Sequence, residues 1–348
     1  MEALAEFQLL RPTTLAGVLE ARAAHPDSRL LGGGTDLIVN LRRGIVAPPV
    51  LVDMNGVAEL RTIRVDKRGL EIGASVTLAE LALDRQVAEH YPVVKQAAGS
   101  IAGPTHRNMG TVGGNLCLDT RCIFYNQSQW WRTANNHCLK TTGDICHVAP
   151  KSRGVCFATF SGDLAPALMT LGAEVDLIGP TGRRTLPMQQ LYIGHARHDG
   201  SGEGDGKHYL ALQPGELVTA VRARYVPGLR SAYDKIRIRR SIEYPVAGVA
   251  VALRRDGETL ADLRVAVTGT NPRPVLLEGT QALCGGPLDD RVLDGLDELV
   301  RDQIMSMKTT FTPGHYRRRV AGVLARRLVV RLFERPDGGF EESGNGIS

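Results

Sequence analysis

Residues 107–116 read RNMGTVGGNL and residues 161–175 read SGDLAPALMTLGAEV. The first run groups glycines with small hydroxyl and amide side chains, a composition that suits close backbone approach to a phosphate-bearing cofactor. The second run passes through Asp163 into an apolar helix, Leu164 to Leu171, and then a strand, Glu174 to Ile178. A tight turn between helix and strand would use the same glycines with no ligand at all.

Upstream, Arg29 to Leu31 reads as a short strand that ends on Gly32-Gly33-Gly34-Thr35-Asp36. Three successive glycines let the chain turn sharply and offer bare N–H groups to an anion such as a pyrophosphate. Neither a P-loop lysine nor the dinucleotide glycine spacing is present. Two such loops in one chain raise the prospect that both line one cofactor.

Between and around the loops the first half alternates short helices and strands. Thr14 to Ala24 has helical apolar spacing, Leu37 to Arg42 reads as a helix start or an extended arm, and Val50 to Met54 as a buried strand. Leu60 to Ile72 alternates about Asp66-Lys67-Arg68-Gly69 as a hairpin. Thr77 and Glu80 form a capping box opening a helix, and Pro92 to Ile101 is another helix. A breaker-rich loop occupies residues 198–206. After it come strands at Ala247 to Leu253 and Leu263 to Gly269, then helices at about Leu288 to Met307 and His315 to Phe333. Composition places a domain boundary near Pro227. The expected units are residues 1–226, 227–335 and a flexible, polar tail at 336–348.

The chain has 348 residues, 43% hydrophobic, enough for two or three domains with real cores. No apolar run reaches the roughly eighteen residues of a membrane span, and no secretory signal is visible, so a cytoplasmic location is expected. The net charge of +5 does not argue for nucleic acid.

The glycine loops and the SGDLAP run, taken with Lys235-Ile-Arg-Ile-Arg239, Ala247-Gly-Val-Ala250, Thr268-Gly-Thr-Asn-Pro-Arg-Pro274 and Tyr316-Arg-Arg-Arg319, resemble the FAD-binding subunits of the xanthine-oxidase family of molybdenum hydroxylases, in order and over nearly the whole chain. The resemblance implies an α+β protein: a two-lobed FAD-binding domain of the PCMH or vanillyl-alcohol-oxidase type, followed by a smaller α+β C-terminal domain. It implies that Leu30, Leu31, Gly32, Gly33, Gly34, Thr35, Asp36 and Leu37, with Thr111, Val112, Gly113, Gly114 and Asn115, hold the FAD diphosphate. It puts Asp163 on the ribityl or ribose hydroxyls and Ile101 and Ala102 near the flavin. Tyr244 falls beside the isoalloxazine, although Glu243-Tyr-Pro-Val departs from the family's Asp-x-Ala there. No substrate-transforming acid or base is implied on this chain.

The departure from the family is a cysteine-bearing insertion at about 117–160. Where the family has a few residues this chain has about forty, holding Cys122, Cys138, Cys146 and Cys156 of its six cysteines and both tryptophans, with Cys117 just ahead of them. So long an insertion in a compact domain is functional or disordered, and Phe124, Tyr125, Trp130 and Trp131, which favour burial, argue against disorder. They are expected to cover whatever the thiols hold.

In a reducing compartment clustered cysteines bind metal or do redox chemistry more often than they form disulfides, though a disulfide set is the plainer alternative. Four thiolates match the demand of a [4Fe–4S] cubane. The spacing Cys122-x15-Cys138-x7-Cys146-x9-Cys156 is neither a ferredoxin run nor the paired C-x2-C of a zinc ribbon, and zinc remains the inorganic alternative. Cys117 belongs to the parent segment, and Cys284 stands alone; both are set aside as small buried residues. His137 and His147 flank ligands and are read as loop residues or donors to sulfur.

The runs Asn115-Leu-Cys-x-Asp-Thr-Arg-Cys122 and Phe124-Tyr-Asn-Gln-Ser-x-Trp-Trp131, with the closing cysteine, resemble the branch of the family that removes a phenolic hydroxyl reductively. That likeness implies a [4Fe–4S] cluster beside FAD, a ferredoxin-type donor, and assembly with a large molybdenum-cofactor subunit and a small [2Fe–2S] subunit as a dimer of heterotrimers. An FAD subunit of an oxidative hydroxylase and a zinc-stabilised non-enzymatic module are the competing readings. The arginine-rich helix from Tyr316, with Val320, Val323, Leu324, Leu328 and Leu332 inward, is read first as a solvated face and second as a docking site for an acidic donor.

Overall fold

The structure is a computed structural model that describes residues 4–194, 203–239, 241–305 and 307–336. Most of the breaker-rich loop and nearly all of the expected tail lie outside these residues.

Three sheets organise the chain. Strands β1 (Gln8–Leu10), β2 (Arg29–Leu31) and β3 (Val50–Asp53) pair in parallel with β3 central. Parallel pairing requires crossovers, which the helices Leu15–Ala24 and Leu37–Arg42 supply. Thr14 opens the first of these, its hydroxyl accepting from the Gly17 N–H. Leu37–Arg42 is thus a helix rather than an extended arm.

The second sheet joins β4 (Ile63–Asp66), β5 (Gly69–Gly73), β6 (Glu174–Gly179), β7 (Gly182–Pro187) and β8 (Leu217–Arg224) in the antiparallel order β4-β5-β8-β6-β7. β8 in its centre closes two hairpins that are a hundred residues apart in the chain, across the whole cysteine-bearing segment. Gly69, at φ +141°, permits that closure: a Cβ there would stand 2.1 Å from the Ala223 carbonyl oxygen. Helices Leu78–Leu83, Pro92–Ser100 and Leu164–Thr170 form the main core beside this sheet, the last one buried at every position. The Thr77–Glu80 capping box is formed in both directions.

The third sheet is β9 (Arg230–Ile236), β10 (Ala247–Asp256), β11 (Thr259–Thr268) and β12 (Val275–Leu276), antiparallel in the order β12-β11-β10-β9. β10 is buried on both faces, and its alternation decides which side each neighbour occupies. Val249, Val251 and Leu253 face the helices Asp290–Gln303 and Gly314–Glu334, whereas Ala250 and Ala266 join the core of the preceding helices. Small side chains on that face let helix Leu164–Thr170 lie close to β10 and β11.

The long C-terminal helix differs from its sequence reading at two positions. Val323 is exposed, and Arg317 is fully buried, its Nε donating to the Val246 carbonyl and its guanidinium also bonded to the Thr309 hydroxyl. A 3.6-residue repeat carries Arg317, seven residues before Leu324, onto the inward stripe. On the outer face Arg326 binds Asp294 and Asp297 at 2.9 and 2.8 Å, so part of the basic face is already neutralised. No helix among the described residues is long and apolar enough to cross a membrane.

The seam between the helical core and the third sheet carries a buried ion pair. Asp163, just ahead of helix Leu164–Thr170, takes Lys235 Nζ at 2.9 Å and the Tyr233 hydroxyl on Oδ1, both from β9. The two charged side chains are 4% and 2% exposed. Removing one partner would leave a buried charge uncompensated. Lys235→Met is expected to lower unfolding free energy by about 3–5 kcal/mol in urea denaturation, and a loss no larger than a surface substitution gives would refute that role.

Candidate flavin and thiol site

The two glycine loops meet at the end of β2. A Cβ on Gly33 would lie 1.6 Å from the Met109 carbonyl oxygen, and one on Gly32 would lie 2.7 Å from Thr111 Oγ1. Asn55 fixes the first loop from below, its Nδ2 donating to the Gly32 carbonyl at 2.9 Å and to Asp53. The backbone N–H groups of residues 32–36 find no acceptor among the described residues. Successive unpaired N–H groups on a glycine turn form a cradle for an anion. Leu30 and Leu31 lead into it as β2, and Leu37 begins the helix that leaves it.

The second loop differs from the first in where its donors go. Val112 N donates to Val76 O, Gly113 N to Ala74 O and Gly114 N to Thr111 Oγ1. Asn115 is buried, with Oδ1 accepting from Leu164 N at 3.1 Å. These donors are spent on the segment that follows β5 and on the Thr111 cap, so the second loop does not repeat the donor array of the first. A sequence pattern cannot separate these roles, because both require glycine.

Ile101 and Ala102 line the next stretch. Ala102 sits at φ +46° and Ile242, across from it, at φ +53°, with Ile242 Cγ1 3.1 Å from where a Gly103 Cβ would be. Two non-glycine residues in the left-handed region, one of them β-branched, mark local strain held by surrounding contacts. Arg107 donates to the Ile101 and Ala102 carbonyls at 2.9 and 3.3 Å. Tyr244, half-exposed, turns its hydroxyl to Asp36; burial of that end and the Asp36 charge push it up to about 12.

The insertion begins and ends at one isolated β-bridge, Arg121 with Thr159. Arg121 is buried and grips Asp36 through Nη2 at 2.8 and 2.9 Å, with Asn40 Oδ1 as a third acceptor. Asp36 therefore spends its carboxylate on the insertion; a carboxylate beside a diphosphate would be repelled without such a cation. Farther along, Arg132 Nη2 donates to the Arg43 and Gly44 carbonyls at 2.8 and 3.0 Å. The insertion is thus clasped twice to the helix that follows the glycine turn.

Cys122, Cys138, Cys146 and Cys156 are all buried free thiols, and all four line one small cavity with Phe124, Leu139, Lys140, His147 and Ala158. Tyr125 N donates to Cys122 Sγ at 3.3 Å, and Thr141 Oγ1 to Cys138 Sγ at 3.8 Å. The Cys156 thiol hydrogen-bonds Cys146, which lowers Cys146 and raises Cys156; burial pushes Cys122 up to about 11. No set of three or more His, Cys, Asp or Glu among the described residues has the arrangement of a single-ion site. Cys117 lies outside the cavity against the main core, pushed up to about 12 by burial, and Cys284 packs beside the C-terminal helices. His147 is at the cavity, Nε2 2.6 Å from the His137 carbonyl, its ring 5.5 Å from Phe124.

The aromatic cover is partial. Tyr125 is buried and Phe124 stacks on Trp131 at 6.2 Å, but Trp130 is 74% exposed. Both tryptophans stand on the short helix Gln129–Ala134, and successive helical residues point about 100° apart, so one faces inward and the other outward. Sequence reasoning missed Arg121, Arg132 and Lys140. Only Arg121, directly ahead of Cys122, had a nearby signal.

Gly33→Ala must push Met109 away or leave the turn. The variant is expected to purify without flavin, whereas Gly286→Ala, with no atom within 4 Å of the new methyl, should keep the wild-type flavin-to-protein ratio. Absorbance at the flavin maximum checks both.

Comparison with known proteins agrees with this geometry. Residues 5–223 match the model of the FAD binding domain in molybdopterin dehydrogenase, and residues 231–332 that of the CO dehydrogenase flavoprotein C-terminal domain. The carbon monoxide dehydrogenase medium chain of Afipia carboxidovorans is 29% identical over 333 residues, 94% of this chain and 97% of that one. The FAD-binding subunit of an aldehyde oxidoreductase from Escherichia coli is 31% identical over 74% of this chain and 79% of its own. The reconstituted CO dehydrogenase from Oligotropha carboxidovorans superposes with a TM-score of 0.77 at 25% identity, covering 96% of this chain and 100% of that chain. These matches span both units of the chain: the chain belongs to the FAD-binding family of molybdopterin dehydrogenases, as a medium, FAD-binding subunit of the xanthine-oxidase group of molybdenum enzymes.

Proposed function

We propose that this chain is the FAD and [4Fe–4S] electron-transfer subunit of a complex like 4-hydroxybenzoyl-CoA reductase. It receives low-potential electrons from a ferredoxin-type donor and passes them toward [2Fe–2S] and molybdenum centres on partner subunits, for reductive removal of a phenolic hydroxyl. The observation that carries the reading is the cavity lined by Cys122, Cys138, Cys146 and Cys156 on an insertion whose root, Arg121, is tied through Asp36 to the glycine turn.

The residues present fit both groups. Unpaired N–H groups of residues 32–36 would hold the FAD diphosphate, with Thr111 alongside. Asp163 has its partners on Oδ1, which leaves Oδ2 for a ribityl or ribose hydroxyl. Ile101, Ala102 and Tyr244 would border the ring. An all-thiol donor set of four suits a cubane, with zinc the inorganic alternative. When bound, FAD exchanges one or two electrons and a four-iron cluster exchanges one. The chain's own part is to hold the two close, bury the sulfurs and exclude water.

Assembly with a large molybdenum-cofactor subunit and a small [2Fe–2S] subunit, as a dimer of heterotrimers, follows from the same reading. The carbon monoxide dehydrogenase and aldehyde oxidoreductase relatives support equally an FAD subunit of an oxidative enzyme. The cysteine-bearing insertion favours the reductive one, because an oxidative hydroxylase has no need of an added centre.

The anaerobically purified complex is expected to hold about four irons on this chain and one FAD, since a cubane needs four. Cys122→Ser, Cys138→Ser, Cys146→Ser and Cys156→Ser should each abolish or alter the four-iron EPR signal, and Cys117→Ser should leave it intact. Zinc in place of iron, or an unchanged signal in Cys122→Ser, would sink the assignment.

A further inference from the structure

Among the described residues Lys140 is the one lysine or arginine on the wall of the thiol cavity, and its side chain is 6% exposed. A buried ammonium must be fully hydrogen-bonded and paired to persist. Here Nζ donates to Asp119 Oδ1 at 2.7 Å, to the Thr120 and Gly206 carbonyls at 2.9 Å each, and to the Thr120 hydroxyl. It also lies over the rings of Tyr125 and Tyr209, 5.0 and 5.5 Å from their centroids. The position is therefore fixed from several sides, and its one carboxylate partner, Asp119, is itself part-exposed, held by the Tyr125 hydroxyl at 3.1 Å.

We propose that Lys140 sets the reduction potential of the cluster held by Cys122, Cys138, Cys146 and Cys156, acting through its fixed charge and not as a ligand. This rests on the functional reading above. Reduction adds one electron, and so one negative charge, to a site that four thiolates have already made negative; no bond forms or breaks, and the electron comes from the external one-electron donor. A cation immobilised on the cavity wall stabilises the reduced form more than the oxidised form, which raises the potential. Asp119 partly offsets that field, so it is the opposing half of the same device. The sign of each contribution follows from the charge alone.

The test is an EPR-monitored redox titration of the anaerobic holo-complex. Lys140→Met should keep the four-iron signal but lower the reduced-to-oxidised ratio at a fixed potential by about tenfold, a shift of about 59 mV for a one-electron couple. Lys140→Arg, which keeps the charge, should titrate close to wild type. Asp119→Asn should shift the midpoint the opposite way, upward. A retained signal with an unmoved midpoint in Lys140→Met overturns the proposal. If Lys140→Met fails to assemble a cluster, Asp119→Asn decides, and a static or lower midpoint there overturns it equally. Absence of any four-iron signal in the wild type would instead refute the cluster reading itself.

Discussion

Gly33 lies against the Met109 carbonyl with no room for a single further carbon. That approach locks the turn after β2 onto the segment that runs through Thr111, and much of the molecule is arranged about it. With Gly33 in place, the N–H groups of residues 32–36 find no acceptor among the described residues. Unpaired backbone donors are costly where water is excluded, so such a turn is stable only where solvent or an anion reaches it. The second glycine run satisfies its own donors and spends its glycines on proximity.

The insertion is held by the same turn. Arg121 converts Asp36, which would repel a diphosphate, into half of an ion pair, and in doing so it brings the root of the cysteine-bearing segment to the cofactor cradle. Arg132 repeats the clasp one helix-length away through two carbonyls. Between these anchors the chain wraps a cavity with four thiols and one fixed cation on its wall. Charge balance organises the whole region: a cation for Asp36, a carboxylate for Lys140, and a third pair, Asp163 with Lys235, across the seam to the third sheet.

Much of the local structure was legible in the residue order. The capping box at Thr77, the hairpin about Gly69, the buried helix after Asp163 and the paired strands β10 and β11 all follow from short-range pattern, because caps, turns and alternation act between neighbours. The short strand β1, the strands β7 and β8 that complete the second sheet, and β9 did not declare themselves. Their pairing is decided by partners far away in the chain, and β8 in particular is bounded by residues that it meets only after the cysteine segment has been crossed.

By itself the sequence determined the family, through the resemblance of its ordered motifs to known members, and the two glycine turns and the count and crowding of cysteines, which composition and spacing carry. Only the tertiary structure decided which turn keeps bare N–H groups, since that depends on whether Val76 and Ala74 are near enough to accept. It decided that Cys117 stands apart from the other four, that Trp130 faces solvent while Trp131 does not, and that Arg317 is buried. It also singled out Lys140, an unremarkable residue in the chain, because burial and charge compensation are properties of the neighbours a side chain acquires on folding and not of its place in the order.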